Sequence, residues 1–177
     1  MFQRQAPVSG SKKPAEDGTL IIITAGDRAL YDEMASCFDA MGKKHYFLGS
    51  KVGAGANCKL VVNMIMGTMM ASLGEGMAIA ENAGLDLETL IEILGLGAMA
   101  NPMFALKGGN VIKGNYATNF PLKHEEKDMR LAVELADELG VGAGVAQAAR
   151  EVFRVAREDM HLGDEDFAAV AKVIRKK

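Results

Sequence analysis

Gly53 to Gly67 reads GAGANCKLVVNMIMG, and the fold turns on it. Two glycines open the stretch, apolar residues then recur at helical spacing, and Lys59 and Asn63 stand four residues apart inside the apolar run. An i, i+4 pair projects from one face of a helix, so an ammonium and an amide share one side of a helix that is otherwise greasy. Before Gly53 the pattern is that of strands and turns; after it the period is helical and stays so. Residues 1–52 therefore read as an α/β layer and residues 53–177 as an all-helical region, with a change of period and no flexible linker between them.

Upstream, QAPVSGS (5–11) is a short extended piece closed by a Ser-Gly turn, GTLIIITAGD (18–27) is a β-branched strand, and KHYFLG (44–49) is a third short strand. Between the last two, Leu30, Met34, Phe38 and Met41 fall at helical spacing and the pattern stops at Gly42. Strand, helix, strand is the alternation of an α/β layer. Three short strands do not make a well-covered sheet, so the expectation is the C-terminal strands of a larger domain.

Downstream, the pattern predicts a helix from about Ala54 to Asn82 and one from Asp86 to Leu94 with Asp86 as N-cap. A loop is expected at Asn101-Pro102, then a short apolar turn at Met103 to Leu106 that leads into the glycine-rich KGGNVIKGN. Helices at Pro121 to Leu139, with Pro121 in the first turn, Gly144 to Met160 and Asp164 to Arg175 complete the set.

Composition narrows the function classes. Of 177 residues, 49% are hydrophobic, enough for a packed core, and 20 basic residues against 23 acidic ones form no basic stripe interleaved with aromatics, which argues against nucleic acid. Cys37 and Cys58 sit in no metal or redox spacing, and His45, His124 and His161 are dispersed, so no metal site and reduced thiols are expected. Leu60 to Leu73 is shorter than the roughly 20 residues of a membrane span, which favours a buried helix and no membrane. FQRQAPVSGS after Met1 has the character of neither a signal peptide nor a transit peptide. A cytoplasmic location is expected, with an organellar origin open.

Several motifs compete as carriers of chemistry. GLGAMA (95–100) fits G-x-G-x-x-A on paper, but a helix precedes it and Asn101-Pro102 follows, whereas a dinucleotide turn needs a strand before and a helix after. GAGANC has the following helix but lacks the third small residue, and reads as a turn between domains. Lys59 is either a lysine near a helix start reaching back to water, or a proton donor beside a carbonyl with Asn63 holding the substrate; spacing alone leaves both open. Ser9-Gly10-Ser11 offers a hydroxyl and free amides for a carboxylate. In FPLKHEEKDMRLA (120–132), Lys123, Lys127 and Arg130 share a face that is either a solvated surface or a functional one.

Taken in order, APVSGS, GAGANCKLVVNMIMG, NPMF and FPLKHEEKDMRLA resemble the 3-hydroxyacid dehydrogenase family, in particular its glyoxylate/succinic semialdehyde reductase branch. The resemblance implies an α/β remnant, the C-terminal strands of a Rossmann-type NAD(P)-binding domain (1–52), followed by an all-α domain (53–177) joined through a long interdomain helix. It implies reduction of small aldehyde acids, NADP(H) in preference to NAD(H), and a homo-oligomer or association with longer subunits. By the same resemblance Lys59 is the catalytic proton donor, Ser9 and Gly10 hold the substrate carboxylate, and Asn63 helps hold the substrate. Phe120 walls the pocket, Lys127 contacts the cofactor and Asp128 supports the site.

The chain departs from the family pattern in one respect: it has no counterpart to the opening strand, G-x-G-x-x-G turn and helix. The expectation is a truncated or split reductase that keeps the proton donor and substrate clamp without the main phosphate-binding loop, and whose activity alone is impaired. The alternatives are a non-catalytic helical oligomerisation module and an inactive fragment. Self-association is expected through the small residues Gly67, Ala71, Gly74 and Ala78, which let helices approach closely.

Overall fold

A computed structural model describes residues 4–175. Two compact units divide between Asn63 and Met64. The small sheet followed by helices is the fold class expected, and each unit has its own packing.

In the first unit, β1 (Arg4–Gln5) and β2 (Val8–Ser9) pair antiparallel with β3 (Leu20–Gly26), and β4 (Gly42–Phe47) pairs with β3 in parallel. The register runs Arg4 to Gly26, Gln5 to Ala25, Val8 to Ile22 and Ser9 to Ile21, so β1 and β2 behave as one strand interrupted at Ala6-Pro7. Proline has no N–H to give a ladder, but its carbonyl accepts from the Ile23 N–H at 2.9 Å. Ile22, Ile23, Thr24 and Ala25 of β3 are buried, as the central strand of such a layer must be. Gly42 opens β4 because a Cβ there would collide with the Leu20 carbonyl oxygen.

The expected extended piece at 5–11 is thus two short strands, and Ser11, its hydroxyl accepting from Lys12 N–H at 2.7 Å, starts the unforeseen helix α1 (Lys12–Glu16). The helix expected between the strands is two, α2 (Arg28–Glu33) and α3 (Ala35–Met41), joined at Met34. Asp27 caps α2 by accepting from Leu30 N–H.

Helix α4 runs Ala54–Asn82, the bounds expected from the sequence. It is long and apolar enough to cross a membrane by length and composition, yet Met70, Leu73 and Met77 are buried in the core of the second unit. The change of period falls at residue 53 while the units part inside α4, because the first turns of the helix pack on the sheet. A Cβ on Gly55 would lie 2.9 Å from the Ile23 carbonyl oxygen.

The second unit continues with α5 (Leu87–Leu96), α6 (Pro102–Ile112), α7 (Leu122–Glu138), α8 (Gly144–Glu158), a 3-10 turn (Phe167–Val170) and α9 (Ala171–Ile174). Asp86 caps α5 as expected. The loop expected at Asn101-Pro102 and the short turn expected at Met103 to Leu106 are corrected to helix α6, which also takes in Lys107 to Ile112 of the glycine-rich stretch. Asn101 caps it by accepting from Phe104 N–H at 2.9 Å, Pro102 suits its first turn, and Gly108 lets Ile91 approach where a Cβ would clash. Pro121 is the N-cap of α7, so the helix starts one residue later than expected. The helix expected at 164–175 begins at Phe167 as a 3-10 turn capped by Asp166. The small-residue stripe of α4 is used within the unit: Gly67 lies against Met129 and Glu125, Gly74 against Ala171 and Ile174, and Ala71 and Ala78 are buried. The close approach that these small residues allow is made here with helices of the same unit.

Candidate active site

Gly53, with φ of 102°, turns the chain into α4, and its N–H donates to the Gln5 side-chain oxygen at 3.0 Å. Gly55 then seats the helix against Ile23 and Pro7. These contacts fix Lys59 and Asn63 in the same compact unit as the segment that ends in Ser9 and Gly10. Gly10 has φ of 121°, and a Cβ there would lie 2.9 Å from Leu20 Cδ2 and 3.0 Å from Pro14 Cβ. Only glycine suits that corner. Lys59 is half-buried and Asn63 is 6% exposed, a polar pair set into the wall of the unit.

The remaining sequence candidates lie in the second unit. Phe120 is half-buried just ahead of α7, its ring edge-on to Phe167 with centroids 6.0 Å apart. Asp128 is almost wholly buried, and Lys127 Nζ lies 2.6 Å from its Oδ1 with the lysine side chain half-exposed. Lys123 is exposed and pairs with Asp164, whose carboxyl it holds below the usual range mainly through their hydrogen bond. Arg130 pairs with Glu134. Lys123 and Arg130 therefore belong to a solvated surface, whereas Asp128 on the same helix faces inward.

One pair escaped the sequence. Lys107 of α6 is buried and its Nζ meets both carboxylate oxygens of the fully buried Asp166 at 2.7 and 2.8 Å. The signal existed: Phe104, Lys107, Gly108 and Val111 have the i, i+3, i+4, i+7 spacing of a buried helix face. The turn expected at Met103 to Leu106 and the glycines that follow hid that face.

A nicotinamide dinucleotide needs a turn whose backbone N–H groups take its pyrophosphate. Lys127, half-exposed, is already paired with Asp128. GLGAMA is no cradle, since Gly97 closes α5 as its C-cap. At the glycine-bearing turn from β3 to α2, the Asp27 carboxylate occupies the helix N-terminus where a pyrophosphate would need free N–H groups. Among the described residues no three His, Cys, Asp or Glu side chains converge as metal ligands.

Residues 53–174 match the family model described as NAD-binding of NADP-dependent 3-hydroxyisobutyrate dehydrogenase, and residues 3–49 match the NAD binding domain of 6-phosphogluconate dehydrogenase. The chain is 54% identical over 171 residues to glyoxylate/succinic semialdehyde reductase 1 of Arabidopsis thaliana, covering 97% of this chain and 58% of that protein. It is 52% identical to the chloroplastic reductase 2 of the same plant, covering 97% and 47%. A crystal structure of 3-hydroxyisobutyrate dehydrogenase from Salmonella typhimurium superposes with a TM-score of 0.89 at 27% identity, covering 97% of this chain and 60% of that one. The chain spans about half the length of the curated relatives it matches. With a family model covering most of its length and four family motifs in order, the chain belongs to the 3-hydroxyacid dehydrogenase family.

Proposed function

We propose that the chain supplies the proton-donating and substrate-holding side of an NADP(H)-dependent reductase of small aldehyde acids such as glyoxylate and succinic semialdehyde. The observation that carries the proposal is the placement of Lys59 and Asn63, one helical turn apart, in the same unit as Ser9 and Gly10. Its support for the substrate class is the 54% identity to a glyoxylate/succinic semialdehyde reductase, and for NADP(H) the description of the matching family model.

In this scheme the Ser9 hydroxyl and Gly10 N–H hold the substrate carboxylate, and the Asn63 amide orients the aldehyde. Lys59 Nζ donates a proton to the carbonyl oxygen as the carbon is reduced, then regains one from solvent through its half-buried position. The bound reduced nicotinamide supplies the hydride. General acid catalysis of this kind contributes on the order of 10² to 10⁴ in rate. The family resemblance further assigns Phe120 to a pocket wall, Lys127 to a cofactor contact and Asp128 to support of the site, and Lys127 Nζ lies 2.6 Å from Asp128 Oδ1.

The test is NADPH consumption by the purified chain with glyoxylate or succinic semialdehyde, with Lys59→Ala in parallel. Turnover that the variant loses supports the assignment; equal turnover in both removes Lys59 from the chemistry.

A second reading, a non-catalytic helical module that assembles with its own kind or with longer subunits, is favoured by the outer face of α5, where Ile93 and Leu96 are 62% and 82% exposed. NADPH binding separates the two. We place the protein in the cytoplasm or, on the strength of its chloroplastic relative, in an organelle.

A further inference from the structure

Tyr31 of α2, His45 of β4 and Asp39 of α3 form a line of polar atoms within the first unit. Tyr31 Oη lies 2.6 Å from His45 Nδ1, and His45 Nε2 lies 3.2 Å from Asp39 Oδ1. These contacts fix where the protons sit. An ionised carboxylate only accepts, so the neutral imidazole carries its proton on Nε2 and donates it to Asp39; Nδ1 is then the bare nitrogen and accepts from the Tyr31 hydroxyl. The phenol therefore aims its proton at a base, and a carboxylate exposed to water backs that base.

Aromatic rings enclose the contact. The ring centroids of Phe38 and Phe47 lie 6.0 and 5.1 Å from that of Tyr31, the Phe38 ring is 5.6 Å from the imidazole, and Phe38 is buried. The Arg28 guanidinium stands 5.5 Å from the centre of the Tyr31 ring, and Asp32 balances its charge with contacts of 2.9 and 3.0 Å. Packing α2 on β4 needs only the rings. The aligned hydroxyl, imidazole and carboxylate add a route for a proton.

The chain has three tyrosines and no tryptophan, so among its aromatic side chains the tyrosines give up an electron most readily. A phenol resists that loss while it keeps its proton, because the radical cation is a very strong acid; a base already hydrogen-bonded to the oxygen removes the obstacle. Among the described residues Tyr31 is the tyrosine whose hydroxyl meets an imidazole. Tyr116 is placed in the opposite way. The Lys172 ammonium lies 4.3 Å from its ring centre, which opposes loss of an electron, and burial pushes the pKa of its phenol up. Tyr46 is exposed, and water is a far weaker base than imidazole.

We propose that Tyr31 is a redox-active tyrosine: a diffusible one-electron oxidant takes an electron from its ring while its hydroxyl proton moves to His45 Nδ1. The O–H bond breaks and an N–H bond forms. The products are a neutral phenoxyl radical, an imidazolium paired with Asp39, and the reduced oxidant. A one-electron reductant such as a thiol or ascorbate reverses the step, returning the electron to the radical as His45 returns the proton to the oxygen. Every group in the step belongs to the first unit, and none takes part in the aldehyde-acid chemistry.

The test is oxidation of the full chain by hexachloroiridate, an outer-sphere one-electron oxidant, followed by rapid-freeze EPR. A phenoxyl radical is expected; Tyr31→Phe should remove most of it, and Tyr46→Phe or Tyr116→Phe should leave it. His45→Gln keeps an acceptor for the hydroxyl but no base, and should lower the radical yield several-fold. A radical that persists in Tyr31→Phe, or a yield unchanged in His45→Gln, overturns the proposal. Should either variant not fold, the wild-type chain with isotopically labelled histidine nitrogen decides: ENDOR should show the radical oxygen accepting from an imidazole N–H, and no such coupling, or no phenoxyl radical at all, overturns it.

Discussion

Gly67 of α4 and Glu125 of α7 meet so closely that a Cβ built on the glycine would overlap Oε1 of the glutamate, and would lie 2.7 Å from Sδ of Met129. Glu125 and Met129 are both fully buried, so neither side chain has open space to retreat into. The expected outcome for Gly67→Ala is a lower denaturation midpoint. Overpacking typically costs about 1–3 kcal/mol, offset in part by the roughly 1 kcal/mol advantage of alanine in a helix. A variant as stable as the wild type in urea would show that α7 can move away from α4 at no cost.

Lys107 and Asp166 should behave as a coupled pair. Removing the ammonium in Lys107→Met leaves a buried carboxylate without its counter-charge, at an expected cost of about 3–5 kcal/mol. Lys107→Met combined with Asp166→Asn should be less damaging than the sum of the two single changes. Additive losses in a double-mutant cycle would show that the pair is uncoupled, in conflict with the 2.7 and 2.8 Å contacts.

The N-cap of α5 gives a pH signature. The Asp86 carboxylate accepts from both the hydroxyl and the N–H of Thr89, at 2.7 Å each. The Thr89 hydroxyl bond is the largest cause of a carboxyl pKa held below its ordinary 3.8. Since the folded value is the lower one, the stabilisation is fully present above the ordinary value and is lost as pH falls through the folded value. Asp86→Ala should therefore melt below the wild type at neutral pH, and the gap should narrow in acid. Asp86→Asn, which caps without titrating, should show no such narrowing. A gap independent of pH would assign the effect to something other than the ionised cap.

Assembly is the fourth expectation. Ile93 and Leu96 lie three residues apart on the solvent side of α5, 62% and 82% exposed, while Leu90, Ile91 and Leu94 pack inward. The chain is expected to sediment as a dimer or larger species, and Ile93→Glu with Leu96→Glu to shift it towards monomer. A monodisperse wild-type monomer would remove the case for the apolar face of α5 as a subunit contact.

Features that depend on near neighbours and on period were legible in the sequence. The β-branched run of β3, the limits Ala54–Asn82 of α4, the Asp86 cap and the ordered family motifs follow from residues within a few positions of one another. The placement of Lys59 and Asn63 on one face needed only the helical repeat. Features that depend on a partner far along the chain were settled by the tertiary fold alone. Lys107 is buried because Asp166, 59 residues later, supplies two acceptors, and the glycines of its segment form helix because Ile91 fills the space beside Gly108. Gly67 and Gly74 were legible as points of close helix approach, but only the fold shows that α7 and α9 make that approach. Local propensity is worth tenths of a kcal/mol per residue, whereas a buried contact or an unmatched charge is worth several. Those stronger interactions are made with partners that no short window of sequence contains.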